Sequence, residues 1–377
     1  MVYSFEGYSE DGSYPVAGLL NINGTLFGTT ESGGSGACGN KNRALEKPIF
    51  GCGTVFEITT SGAESVLHSF SPNGDGAGPE ADLVEVHGTL YGTTEGGGVK
   101  SDGTVFSITP SGAETVLHSF GASSDDGISP LAGLTNVNGT LYGTTNLGGT
   151  SCRSGADGCG TVFSITTSGT ETVLHSFGGS TDGDYPVAGL INVSGMLYGT
   201  TAGGGANDAP GTVFSITPSG KETVLHDFES SSDGVHPEAP LLEVNGAFYG
   251  TTERGGYYGD GTVFSVTPSG AETVLHNFGG SGDGAYPRAG LINVKGTLYG
   301  TTPYGGLKCN KKHTCGTVFS ITTSGTEAVL YRFKGHSNGR KDGAQPQAPL
   351  INVNGTLYGT TYGGGANGAG TVLALSP

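Results

Sequence analysis

The chain has 377 residues, 73 of them glycine, no tryptophan, and a formal net charge of −17. So much glycine excludes a helical protein, and its spacing lacks a collagen triplet; the Val, Ile, Leu, Phe and Tyr between the glycines exclude simple disorder. The acidic balance argues against nucleic acid and anionic membranes as partners, and polyanionic polysaccharides are disfavoured likewise.

The first element is a strand, "VYSF" at Val2–Phe5. No charged-then-apolar leader precedes it, and no apolar run reaches the roughly 20 residues of a membrane span. A connection "DGSYP" follows, then "AGLLNI", an "NG" turn and "TLFGTT". Asn-Gly suits a type I′ hairpin, which needs positive φ at both central residues. Next comes a glycine-rich loop with Cys38 and Cys52, then "GTVFEIT", a short turn and "ESVLHSF". The unit then begins again at "DGAGP".

Seven copies of "GTLYGTT" occur with small changes, centred on Phe27, Tyr91, Tyr142, Tyr198, Tyr249, Tyr299 and Tyr358. Their spacing is about 50 residues where the following loop is short, a period that calls for propeller blades or solenoid repeats. Each unit reads as four short antiparallel strands, so the fold class is all-β, a seven-bladed β-propeller. The last unit, "APLINVNGTLYGTTYGGGANGAGTVLALSP", stops after three strands. The expectation is one domain over residues 1–377 in which the N-terminal strand 2–5 completes the final blade, 346–377, and removes the open edges. A straight solenoid is the rival, but it would need capping repeats that neither end supplies.

All six cysteines fall in local pairs that bracket loop insertions: Cys38 with Cys52, Cys152 with Cys159, and Cys309 with Cys315. Pairing within each loop is the simplest of 15 connectivities, and implies an oxidising compartment; metal binding is the alternative, with poor zinc spacing.

Antiparallel order puts the cysteine loops and the Asp-Gly-x-x-Pro connections on one face and the short turns on the other. Ligand sites belong on the long-loop face or at the channel mouth. Asp11, Asp75, Asp126, Asp182, Asp233, Asp283 and Asp342 open the connections. They read as loop-bracing side chains beside a glycine of positive φ; the sharper reading gathers Ca²⁺ on members such as Asp182, Asp233 and Asp283. The recurrent His68, His118, His175, His226 and His276, with Tyr331 and Tyr3 as equivalents, read as outer-strand packing and hydrogen bonding. On the innermost strand, Asn21, Glu85, Asn136, Asn192, Glu243, Asn293 and Asn352 read as a polar ring at the channel, with Glu85 and Glu243 its asymmetric members.

Chemistry needs asymmetry, so departures between blades matter most. Arg254, Tyr257, Tyr258 and Tyr304, with His236 and Arg288 from the connections, form an aromatic and basic set; Lys311, Lys312, His313 and His336 lie in nearby loops. No nucleophile elbow, paired-His zinc motif or phosphate loop is present.

The run "VNGTLYGTTxGGG…GTVFSITPSGxETVLHSFGG…DGxxPxAGL" resembles the GloVer-type tandem repeat, seven times over and across essentially all of the chain. That resemblance implies a bacterial protein exported or surface-anchored through interchangeable C-terminal sorting signals, with no assigned activity or catalytic residues. The chain ends at "GTVLALSP" without a sorting segment. The "NGTLYG…GG" hairpin is faintly similar to kelch repeats, without their tryptophan.

The functional expectation is an extracellular or cell-surface binding scaffold, monomeric, taking a carbohydrate or protein ligand and requiring no cofactor, Ca²⁺ being the one ion considered. The alternative is a polysaccharide hydrolase or lyase acting at the channel mouth.

Overall fold

In the computed structural model, the described residues are 1–7, 11–36, 38, 51–71, 74–150, 152, 158–178, 181–207, 209–229, 232–308, 314–335 and 341–377. They build seven four-stranded antiparallel sheets arranged as a β-propeller. The blades are numbered 1 to 7 by their second strands: Thr25–Thr30, Thr89–Thr94, Thr140–Thr145, Met196–Thr201, Ala247–Thr252, Thr297–Thr302 and Thr356–Thr361. First strands of neighbouring blades lie against one another, which puts them at the axis. They are shorter than "AGLINV" suggests, only three residues each, as in Ile292–Val294.

The ring closes as expected. Tyr3 pairs with Val372 and Ser4 with Thr371. Flanking bonds run from Val2 N to Val372 O (2.8 Å) and from Phe5 N to Gly370 O (3.1 Å). The hairpin turns carry the left-handed pairs that a type I′ turn requires, for example Asn23 (φ 53°) with Gly24 (φ 91°).

Blades adhere through phenylalanines. The last-strand Phe of one blade meets the third-strand Phe of the next edge to face: Phe70 with Phe106 at 5.0 Å, Phe120 with Phe163 at 5.2 Å, and Phe5 with Phe56 at 5.2 Å. The Gly after each central aromatic makes room, since a Cβ on Gly28 would stand 2.7 Å from the Phe56 ring. A threonine staple joins the same neighbours: Thr93 Oγ1 donates to Ala132 O (3.0 Å), and Thr360 Oγ1 to Ala17 O (2.9 Å) across the closure. The Thr that follows is buried and shares a hydroxyl bond with the third strand, as in Thr94 with Thr104 at 2.8 Å.

The long connections and the loops after the second strands do share a face, because they pair with each other. Gly12 aligns with Gly33, Gly127 with Gly148, Gly284 with Gly305 and Gly343 with Gly364; single bridges serve the other three blades. The glycine expectation holds at three connections, Gly76, Gly183 and Gly234 (φ 130°, 94° and 112°), and needs correction at the other four. Gly12, Gly127, Gly284 and Gly343 do not have positive φ; a Cβ on Gly12 would instead stand 2.5 Å from the Thr30 side chain. In all seven connections the residue before the proline is left-handed: Tyr14, Gly78, Ser129, Tyr185, His236, Tyr286 and Gln345, with φ between 54° and 65°. Six of these carry side chains, and the conformation aims them onto the mouth face at a conformational cost of about 1–3 kcal/mol each.

Two of the expected disulfides are formed, Cys38–Cys52 and Cys152–Cys159, with Cα separations of 5.3 and 5.2 Å. The third pair falls on Cys309, outside the described residues, as do Lys311, Lys312, His313 and His336.

Candidate site at the channel mouth

The mouth is built from two positions repeated in every blade. One is the residue after the Thr pair, which reads Glu31, Glu95, Asn146, Ala202, Glu253, Pro303 and Tyr362. The other follows the proline and reads Val16, Glu80, Leu131, Val187, Glu238, Arg288 and Gln347. A cavity of about 270 Å³ opens along the axis, with Glu80, Asp82, Glu238 and Arg288 on its wall among apolar and glycine neighbours from the other blades. Asp82 accepts a hydrogen bond from Gly18 N at 2.5 Å.

Blades 5 and 6 supply a basic and aromatic arc. Arg288 donates from Nη2 and Nε to Glu253 Oε1, at 2.5 and 3.2 Å. Arg254 Nε stands 3.4 Å from Glu253 Oε2, so both oxygens of this buried carboxylate are matched by cations. Glu238 lies 3.6 Å from Arg288 Nε; burial first, and then Glu253, push its carboxyl upward. His236 Nδ1 is 2.8 Å from Ala202 O and donates to it. Tyr286 and Tyr304 meet edge to face at 5.9 Å, and Tyr286 is held by a hydrogen bond to Asp260. They flank a groove of about 460 Å³ floored by glycines. Glycine there leaves room for a ligand to approach the backbone.

Blades 7, 1 and 2 supply an acidic arc. Glu31, Glu80 and Glu95 converge. Burial raises the Glu80 carboxyl, with Glu95 and Glu31 adding to it, and burial and Glu95 raise that of Glu31. Tyr14 and Tyr362 stack beside them at 4.8 Å and 26°. Burial, then Glu31 and Tyr14, push the Tyr362 phenol up to about 12, so it stays a donor.

The structure therefore brings together His236, Arg254, Arg288 and Tyr304 from the residues expected by sequence. Tyr257 and Tyr258 stand apart on the loop tip, 83% and 57% exposed, packed edge to face on each other at 4.8 Å. Glu85 and Glu243 have a local role beside their turns. All seven members of the inner polar set accept from the turn glycine three residues on, as Asn21 does from Gly24 N (2.9 Å) and Glu243 from Gly246 N (2.6 Å). Glu85 does the same with Gly88 N. There they cap the hairpin turns. The acidic arc and Glu253 went unread in the sequence; the signal was available in the two repeated positions, where charge appears in only a few blades.

The histidines behave as packing and bonding groups, each tied to the connection aspartate of its own blade interface: His68–Asp75 at 3.2 Å, His175–Asp182 at 3.1 Å and His276–Asp283 at 3.0 Å. Tyr331 donates to Asp342 at 3.0 Å and Tyr3 to Asp11 at 3.1 Å. The aspartates also brace their loops, as Asp75 does by accepting from Ser71 N at 2.9 Å. Among the described residues, no helix is long and apolar enough to cross a membrane.

No curated protein sequence matches the chain. Among solved structures, a Bacteroides uniformis protein named for 6-phosphogluconolactonase is 15% identical with a TM-score of 0.51, over 91% of this chain and 88% of that one. A gluconolactonase from Xanthomonas campestris is 13% identical (TM-score 0.41, 67% and 76% covered), and a luciferin-regenerating enzyme 14% identical (0.44, 81% and 92%). At such identities the first likeness speaks for the propeller fold alone, and the other two carry no argument. The Gloeobacter/Verrucomicrobia repeat matches residues 1–156 and again 146–373. The chain belongs to that repeat family.

Proposed function

We propose that this protein is a secreted or surface-displayed binding scaffold whose ligand, a carbohydrate, sits in the mouth over blades 5 and 6. The supporting observation is where symmetry breaks. The position that holds Ser32, Gly96, Leu147, Gly203 and Gly363 in the other blades carries Arg254 and Tyr304 here, and Arg288 and His236 are the one arginine and the one histidine at their repeated positions, around matched carboxylates and beside a tyrosine-walled groove of about 460 Å³. Tyrosine faces suit the apolar side of a sugar ring, and the charged groups suit its hydroxyls or a carboxylate substituent. The two loop disulfides support an oxidising, extracellular setting.

A glycan array followed by calorimetry tests the reading. An oligosaccharide should bind, and Tyr304→Ala should weaken it at least tenfold while Tyr257→Ala leaves it unchanged. Absence of any glycan ligand, or indifference to Tyr304→Ala, defeats it.

One observation favours a hydrolase as the second reading. Glu80 is hydrogen-bonded to Glu95, and burial first, then Glu95 and Glu31, push its carboxyl up to about 8, which is the pattern of a carboxyl held protonated as a general acid. Turnover of a polysaccharide that Glu80→Gln abolishes would establish it; a mouth that binds glycans without turnover would leave the scaffold reading.

A further inference from the structure

At the outer perimeter the interfaces between blades carry a recurring trio: the His of one blade's last strand, the Asp of the following connection, and the Glu that opens the last strand of the next blade. In His118–Asp126–Glu171 and His276–Asp283–Glu327, one ligand atom from each residue lies within 4.8 Å of the other two. His118 Nε2 is 3.3 Å from both Asp126 oxygens, and His276 Nε2 is 3.0 Å from Asp283 Oδ2. Ligands about 2.1 Å from a common zinc ion stand roughly 3.4 Å apart in a tetrahedron. The His–Asp edges already match that, and the Glu need close by only about an ångström.

A second observation points into these sites. Glu171 Oε1 and Glu327 Oε1 are buried and have no hydrogen-bond partner. Burying a carboxylate oxygen unmatched, beside a second carboxylate, is costly without a cation. The sister interface shows how the ring is presented. The His226 ring bonds the backbone of Gly270 in the next blade, while its buried Nε2 makes no hydrogen bond and stands 4.0 Å from Asp233 Oδ2, so Nδ1 makes the backbone bond and Nε2 faces the carboxylate. A ring nitrogen held by a backbone carbonyl with the other directed at the site is the usual arrangement around a metal-bound imidazole.

We propose that His118, Asp126 and Glu171 bind a divalent transition-metal ion of the zinc type between blades 2 and 3, and that His276, Asp283 and Glu327 form a weaker copy between blades 5 and 6. One imidazole and two carboxylates suit zinc better than Ca²⁺, which takes six to eight oxygens. The second site is weaker because Arg332 also faces Glu327. Burial pushes the Glu171 carboxyl up to about 7, with His118 opposing and Asp126 reinforcing the rise, so a proton competes with the ion. The chain contains its own contrast. Where Tyr3 replaces the histidine, its hydroxyl lies within hydrogen-bond reach of both carboxylates, Asp11 at 3.1 Å and Glu64 at 3.3 Å, and offers a phenol in place of the imidazole nitrogen.

The test is calorimetric titration of the full chain, stripped by chelator, with Zn²⁺ at pH 7.5, alongside Cu²⁺ electron paramagnetic resonance. Two classes of site are expected. Glu171→Gln and His118→Tyr should each weaken the tighter one at least tenfold, while Glu64→Gln leaves both unchanged. The Cu²⁺ spectrum should show nitrogen hyperfine structure that the double variant His118→Tyr/His276→Tyr loses. That variant should fold, because tyrosine occupies the same position at Tyr331 and Tyr3, and a retained thermal transition checks this. No Zn²⁺ uptake by the wild type, uptake indifferent to Glu171→Gln and His118→Tyr, or a preference for Ca²⁺ would overturn the proposal.

Discussion

Arg288 decides much of the mouth's electrostatics, because Glu253 is only 6% exposed and relies on it. Replacing it by methionine keeps the stem but leaves Glu253 with Arg254 alone, whose Nε is 3.4 Å away. Arg288 is itself 42% exposed in its side chain, so the cost falls below that of a fully buried pair; about 1–2 kcal/mol in urea unfolding is expected. The same scale exposes the weakness of reading single residues from sequence. Glu85 and Glu243 were legible as an asymmetry but not as caps. Their role depends on where a three-residue strand ends, which puts a turn amide within reach. Glu31, Glu80 and Glu95 are separated by up to 64 residues in sequence, and nothing local says that they meet.

Strands and turns were far more legible, because alternation and glycine placement are local signals. "TLYGTT" and "ETVLHS" are strands over the residues the pattern marks, as at Thr297–Thr302 and Glu171–Ser176. The feature that pattern could not supply is the register shift where the third and fourth strands pair, between Val105 and Phe106 in blade 2 and at the matching place in five other blades. The N-terminal strand is the most consequential element for its length. Phe5 is fully buried and packs on Tyr3 and Phe56. Phe5→Ala should cost about 3–5 kcal/mol by the transfer and cavity terms, read from chemical denaturation; a loss under 1 kcal/mol would mean that the closing strand contributes little. Removing the Cys152–Cys159 link, which closes a loop of seven residues, should cost about 2 kcal/mol on the chain-entropy argument. Reduction followed by thermal unfolding checks this.

At the scale of the whole molecule, the repeated perimeter carboxylates govern the response to pH. Burial pushes Glu64, Glu114, Glu171, Glu222 and Glu272 up to about 7, with Asp11, Asp75, Asp126, Asp182 and Asp233 adding to the rise in turn and His118 and His175 opposing it at Glu171 and Glu222. In the unfolded chain each would titrate at about 4.3. Between those values the folded chain holds more protons than the unfolded one, so protonation favours folding. The contribution is complete below the unfolded value and is lost as pH rises through about 7. Asp182 acts oppositely: it is lowered overall, its bonds to His175 and Gly178 outweighing burial, and its stabilisation disappears only in acid below the ordinary carboxylate range. The thermal midpoint should therefore be higher at pH 5 than at pH 8. A midpoint that climbs steadily from 5 to 8 would show that these carboxyls are ionised at little cost.

Repeat number, strand count, turn chemistry, ring closure and the grouping of loops on one face were all determined by the amino-acid sequence alone. Each follows from short-range periodicity or from complementary chain ends. The mouth, its two charged arcs and the His–Asp–Glu interfaces were decided only by tertiary structure. Residues from different blades become neighbours when the ring closes, and burial between them then sets which carboxyls stay charged.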